Sequence, residues 1–332
     1  MKNIISQFLY QVGLSQRTIA QAAEKFYYVV NYHRVCPKSE QGIQFPDFFD
    51  LRTPPDLFAQ HLAFYQKHFE VVSLSQLSGG LGTKPKLLIT FDDGYRDNHD
   101  HAFRVLQQFE MPALFFVATE VFEQERLLWD NQFFYSLERA GLAAAQNFFS
   151  KHFPNEDLGG SNVNQVCRKL FQLFANRVSS HEQRIQLILD FASLTNSLAP
   201  HTFIENFYLT REQVTAMASA GMEFGAHTHR HALLPGSTDL EMDFELKHSK
   251  EILESVTAKN ISTFCYPSGQ FNPKVKTAVG DQFAFAFTTQ EHKNTWSQDP
   301  LLLGRFNVST QQPHYLAFEL SEWKNKLKTF LA

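Results

Sequence analysis

Apolar and polar residues along the chain follow two periods. Near the start, Ile4, Ile5, Phe8, Leu9 and Val12 recur at steps of three and four, which makes one face of an amphipathic helix within residues 1–26. Tyr27 to Tyr32 is a short, nearly unbroken apolar run and reads as a buried strand ending at His33. The same reasoning predicts strands at Glu70 to Leu74, Lys86 to Phe91, Ala113 to Ala118, Met222 to Ala226, Thr263 to Tyr266 and Phe283 to Thr288. Helical spacing fills several intervals, as in Phe58 to Phe69 and in Ala102, Val105, Leu106 and Phe109. Strands alternating with helices predict an α/β protein with a parallel sheet and crossover helices, open or closed into a barrel.

Between Val121 and Phe207 the alternation breaks. Val166, Leu170, Leu173 and Phe174 space as one helix, and Ile185, Leu189 and Ala192 as another, with Ser179 and Glu182 as a capping box before it. Residues 121–207 therefore read as a helical insertion within a single domain spanning 27–332. No internal repeat interrupts the pattern.

Composition narrows the classes. The 332 residues carry 30 Lys+Arg against 34 Asp+Glu, a formal charge of −4, and are 43% hydrophobic, which excludes a disordered chain and a basic nucleic-acid binder. The 34 Phe are the one excess, and a Phe-rich interior accounts for them most simply. No run approaches the roughly 18 apolar residues of a membrane span, and no secretory signal pattern opens the chain, so a cytoplasmic location is expected. The first helix adds a qualification: its apolar face either packs on the protein's own body or contacts a membrane surface or partner. Three widely separated cysteines argue against a disulfide framework.

Four clusters carry chemistry. Thr90-Phe91-Asp92-Asp93-Gly94 places two carboxylates where an apolar strand meets a turn, and two anions side by side call for a cation or a shared proton. Adjacent residues point differently, so one can hold a metal while the other faces substrate. Gly225-Ala226-His227-Thr228-His229-Arg230-His231 follows another strand; on a helical turn, His227 and His231 would reach the same side. Two imidazoles and a carboxylate are the ligand set of an open zinc site, with His229 open as a further ligand. Asp97 to His101 is a competing cluster, expected at the surface. Cys265-Tyr266-Pro267-Ser268-Gly269 is a strand-to-turn segment able to offer backbone N–H groups to an oxyanion. His33 ends the first buried strand. All four clusters fall at carboxyl ends of predicted strands, which converge on one face of a parallel barrel.

The Asp92-Asp93 and His227-x-x-x-His231 motifs together resemble those of carbohydrate esterase family 4, the polysaccharide deacetylases with a NodB-homology domain. The resemblance runs from about Val29 to Val308, omitting the insertion, and includes Tyr208 to Gln213 leading toward the His motif. Tyr32-His33-Arg34-Val35 resembles the circularly permuted branch that includes poly-N-acetylglucosamine deacetylases, in which the acid His precedes the Asp pair. No Leu-x-His motif follows Trp296, in keeping with that order.

The resemblance implies an irregular (β/α) barrel and metal-dependent removal of acetyl groups from N-acetylated amino sugars, in a polysaccharide, glycan or glycolipid precursor. It assigns Asp92 as base, His33 as acid from the opposite side of the substrate, and Asp93, His227 and His231 as ligands of one divalent metal. Zinc is expected, with cobalt, nickel or iron also compatible. Ser268 stands where the family places the oxyanion-binding backbone N–H. Two departures stand out: Cys265 replaces an Arg found in many members, and Ser268 a Tyr. If an Arg must keep Asp92 ionised, Arg305 is the candidate. No carboxylate to orient His33 is identifiable. An O-acetyl esterase, an inactive carbohydrate-binding scaffold and a metal-dependent phosphoesterase remain as alternatives; the last lacks extra cationic groups or a second metal site.

Overall fold

The computed structural model describes residues 2–37, 51–77, 82–178, 180–324 and 326–327. Eleven strands lie among them: β1 (Phe26–Tyr32), β2 (Arg34–Val35), β3 (Arg52–Thr53), β4 (Glu70–Val71), β5 (Lys86–Phe91), β6 (Leu114–Val117), β7 (Glu223–Ala226), β8 (Thr263–Cys265), β9 (Phe285–Phe287), β10 (Asn294–Thr295) and β11 (Phe306–Asn307). The main sheet runs β10-β1-β5-β6-β7-β8-β9, and from β1 to β9 every neighbouring pair is parallel. Lys86–Phe91 coincides with its predicted strand. The strand predicted at Glu70 to Leu74 ends at Val71, because Leu74–Leu77 turns into a short helix.

The sheet curls, and one segment joins its two edges. Leu303 pairs with Phe287 of β9, while Phe306 and Asn307 of β11 pair in parallel with Val30 and Asn31 of β1. Residues 303–307 thus strap β9 to β1 and give the irregular α/β barrel its closure. Alternation along the strands sorts the side chains. Tyr28, Val30, Tyr32, Phe91, Phe115 and Phe224 face the outer helices in the main core. Val29, Leu88, Phe116, Cys265, Phe287 and Leu303 fill a second, interior cluster.

The β6-to-β7 crossover passes through helices Trp129–Ala140, Leu142–His152, Val163–Arg177, His181–Leu194 and His201–Ile204, with Phe133, Phe149, Phe174 and Phe191 buried among them. Ser180, rather than Ser179, caps His181–Leu194, its side chain accepting from Gln183 N; Ser179 lies outside the described residues. The helix after the Asp pair opens as a π-turn, Asn98–Phe103, before Arg104–Gln108.

The first helix, Lys2–Gln11, packs on Pro313–Leu320. It buries Leu9 but leaves Ile4 and Phe8 exposed, as is Val12 just beyond its end, so self-packing uses only part of the predicted face. Among the described residues, no helix is long and apolar enough to cross a membrane.

Candidate active site

The interior alternation that packs Val29, Leu88 and Phe116 continues at the carboxyl ends of the strands with Asn31, Thr90 and Asp92, which are polar and buried. Charge at that depth requires a partner. Arg305, from the closing strap, supplies it: Nη1 donates to Asp92 Oδ1 at 2.7 Å and Nη2 to Oδ2 at 2.8 Å. Asn31 Nδ2 also donates to Oδ2 at 3.2 Å, and Asn31 Oδ1 accepts from Arg305 Nη1 at 2.9 Å. Burial alone would raise the Asp92 pKa, but the Arg305 fork overrides it and holds the carboxyl below the usual range. Arg305 also donates to Cys265 Sγ at 3.0 Å. The small Cys265 thiol leaves room for the guanidinium that Arg305 brings from the strap.

Asp93 follows at φ 75°, a left-handed conformation that turns its side chain away from Asp92. Gly94 completes the turn at φ 90°, where a Cβ would stand 2.8 Å from Val117 Cγ1. Asp93 Oδ1 meets His227 Nε2 at 3.4 Å and His231 Nε2 at 3.5 Å, with all three residues buried. Burial opposes the Asp93 charge, but His227 and then His231 bring its pKa below the ordinary value.

The two histidines do not share a helical turn as the four-residue spacing suggested. Residues 227–234 form a loop, folded back by Thr228 at φ 62° and His231 at φ 55°. A β-branched residue in the left-handed region costs on the order of 1–3 kcal/mol. Thr228 is held there by donating to His227 O at 2.6 Å and accepting from Ala232 N at 2.9 Å. Glu245 braces the same loop, accepting from His229 N at 2.8 Å and Arg230 N at 2.9 Å.

His229 points elsewhere, onto Thr119 Oγ1 at 2.9 Å and against the His248 ring, and is no part of the ligand group. The competing cluster also lies apart: His99 pairs with Asp100 at 2.8 Å, while Asp97 is buried and bonds Arg34 at 2.7 Å instead of facing solvent.

His33 Nε2 lies 3.8 Å from Asp92 Oδ2. It sits beside Asp92, rather than across a substrate-wide gap as the resemblance implied. Its Nδ1 is buried without a hydrogen-bond partner, and burial lowers its pKa despite the pull of Asp93 and Asp92. Ser268 is exposed in the turn after β8, at φ 54°.

The donor chemistry fits a divalent metal at Asp93, His227 and His231, whose ligand atoms all lie within 4.8 Å of one another. His227 Nδ1 is 2.7 Å from Cys265 O, so that nitrogen donates and the Nε2 lone pair faces Asp93. Asp92, His227 and Cys265 form a second compact group, but it fits less well. Arg305 occupies both Asp92 oxygens, and burial raises the Cys265 thiol well above its usual pKa.

The sequence profile of the polysaccharide deacetylases matches residues 80–152 and 162–282, more than half of the chain. The chain belongs to the polysaccharide deacetylase family. The match takes in Asp92, Asp93, His227, His231 and Ser268. A putative polysaccharide deacetylase, YxkH of Bacillus subtilis, is 28% identical over 103 residues; the match covers 31% of this chain and only 37% of that protein.

Among solved structures, the Streptococcus pyogenes deacetylase PplD, determined with acetate, superposes with a TM-score of 0.57 at 18% identity, covering 89% of this chain and 98% of that one. IcaB from Ammonifex degensii gives 0.56 at 19% identity, covering 89% and 97%. The BpsB deacetylase domain from Bordetella bronchiseptica gives 0.51 at 18%, covering 86% and 96%. Identities this low speak for the fold, and they place the chain among NodB-type (β/α) barrels.

Proposed function

We propose that this deacetylase hydrolyses the acetamide of N-acetylated amino sugars in a polysaccharide or glycan precursor. The observation that carries the reading is the contrast between two adjacent carboxylates. Asp92 is locked by Arg305, while Asp93 is turned onto two imidazole Nε2 atoms. That arrangement separates a proton acceptor from a ligand.

Asp93, His227 and His231 would hold the ion, with zinc favoured by the mixed nitrogen and oxygen donors. A divalent ion bound there supplies Lewis acidity to water and to the acetyl carbonyl. Asp92, kept ionised by Arg305, takes a proton from the water that attacks the carbonyl carbon. The Ser268 N–H supports the resulting oxyanion. The carbon–nitrogen bond then breaks, and the sugar nitrogen leaves with a proton from His33.

Because burial lowers the His33 pKa, His33 is neutral before turnover and must collect that proton. Its Nε2 lies 3.8 Å from Asp92 Oδ2, a little beyond hydrogen-bond reach, which gives the water proton a short path to the leaving amine.

Acetate release from N-acetylglucosamine oligomers by metal-free protein, with and without zinc or cobalt, tests the reading. Release is expected only with metal and is expected to vanish in Asp93→Ala. Asp92→Asn should bind metal yet lose about 10²–10⁴-fold in turnover. Near-wild-type turnover in Asp92→Asn would remove the base assignment. Metal-independent release would remove the ligand set.

A further inference from the structure

We propose that Asp130, in the first turn of the crossover helix Trp129–Ala140, is the positioning residue that fixes His231 as a metal ligand. The inference rests on the assignment of Asp93, His227 and His231 as the ligand set. His231 needs such help. It sits at φ 55° in an irregular loop, so its backbone does not set the ring by regular structure. His227 gets its orientation from Cys265 O on the neighbouring strand. His231 presents Nε2 to Asp93, and its other nitrogen, Nδ1, lies 3.3 Å from Asp130 Oδ2. That is within ion-pair range, though not aligned as a full hydrogen bond.

The same helical turn grips His231 twice more. Trp129 Nε1 donates to His231 O at 2.8 Å, and the Trp129 ring stacks over the imidazole at 6.4 Å between centroids and 22° between planes. One turn therefore sets the carbonyl, the ring plane and the Nδ1 face of a single residue. The Asp130 carboxylate is mostly buried, with 13% of its side chain exposed, and lies on the far side of the ring from Asp93. It therefore acts through His231 and is not itself a ligand. A carboxylate accepting from Nδ1–H keeps the lone pair at Nε2 and makes that nitrogen a stronger donor; loss of such a partner typically costs about 10–100-fold in metal affinity.

A second connection joins the crossover to this loop. Arg230 Nε donates to Glu245 Oε1 at 2.6 Å, while its Nη1 reaches Glu182, on the helix His181–Leu194, at 2.6 Å. The helical crossover thus frames the His loop from two of its helices.

The test is zinc titration of metal-free wild type, Asp130→Asn and Asp157→Asn by calorimetry with a competing chelator. Asp157 pairs with Lys169 on the crossover surface and serves as the control. Asp130→Asn should bind the same number of zinc ions about 10–100-fold more weakly, and Asp157→Asn should match wild type. Equal affinity in Asp130→Asn would overturn the proposal, as would equal weakening in Asp157→Asn. Nitrogen-15 NMR of zinc-loaded wild type provides a measurement independent of any variant. His231 is expected as the Nδ1–H tautomer with a slowly exchanging proton, and a proton-free Nδ1 would overturn the inference. Failure of wild type to bind zinc would instead remove the ligand set itself, and this inference with it.

Discussion

Asp92 carries a charge that burial opposes, and Arg305 is the main counterweight. In Arg305→Met, burial loses its main counterweight, so the acidic limb of the kcat/KM profile should move up by about 1–3 pH units. Removing one partner of a buried pair should also cost about 3–5 kcal/mol of stability by urea denaturation. The stability effect of pH has a definite sign. The folded pKa of Asp92 is depressed, so its contribution is present above the unfolded value of about 4 and is lost as pH falls through the folded one. The sequence made Asp92 and Asp93 legible because two adjacent carboxylates at a strand end are rare and demanding. Arg305 was visible only as a condition, since nothing local ties it to a residue 213 positions earlier. Asn31 lay inside the apolar run Tyr27 to Tyr32 as its lone amide, with nothing to give it a role. Asp130 left no trace, because an acidic residue opening a helix reads as an ordinary helix start.

At the scale of elements, strand existence was readable and loop geometry was not. Period and apolar runs fix which residues enter a sheet, whereas the His loop depends on two left-handed residues, Thr228 and His231, that no spacing announces. The Phe excess has an account at this scale. Tyr32, Phe91, Phe115 and Phe224 stack from strand to strand across β1, β5, β6 and β7, at centroid distances of 5.4, 4.7 and 5.6 Å. The ladder lies beneath the strand ends that carry the site. Phe115→Ala should cost about 3–5 kcal/mol, read from the urea midpoint. On the interior face, Gly225 admits Phe116 so closely that an added Cβ would lie 2.6 Å from its ring and 2.4 Å from Thr263 Oγ1. Gly225→Ala is expected to destabilise by about 1–3 kcal/mol through overpacking, checked the same way.

For the whole molecule, a parallel sheet with crossover helices was legible from the alternation, its closing into an irregular barrel only from the family resemblance, and the crossover helices of residues 121–207 from the interruption. Their connection to the His loop was not, because it depends on where Trp129, Asp130 and Glu182 come to rest after folding. If the ion bridges Asp93, just past the end of β5, and the loop after β7, it should stabilise the fold. At 100-fold excess over its dissociation constant, zinc should add about 2.7 kcal/mol, seen as a higher Tm that a chelator reverses and His227→Ala abolishes.

The strap at residues 303–307 closes the barrel and also carries Arg305. Anything that loosens that strap takes the guanidinium away from Asp92 at the same stroke. Wall and counter-charge are one piece of chain, so the molecule cannot lose the first and keep the second.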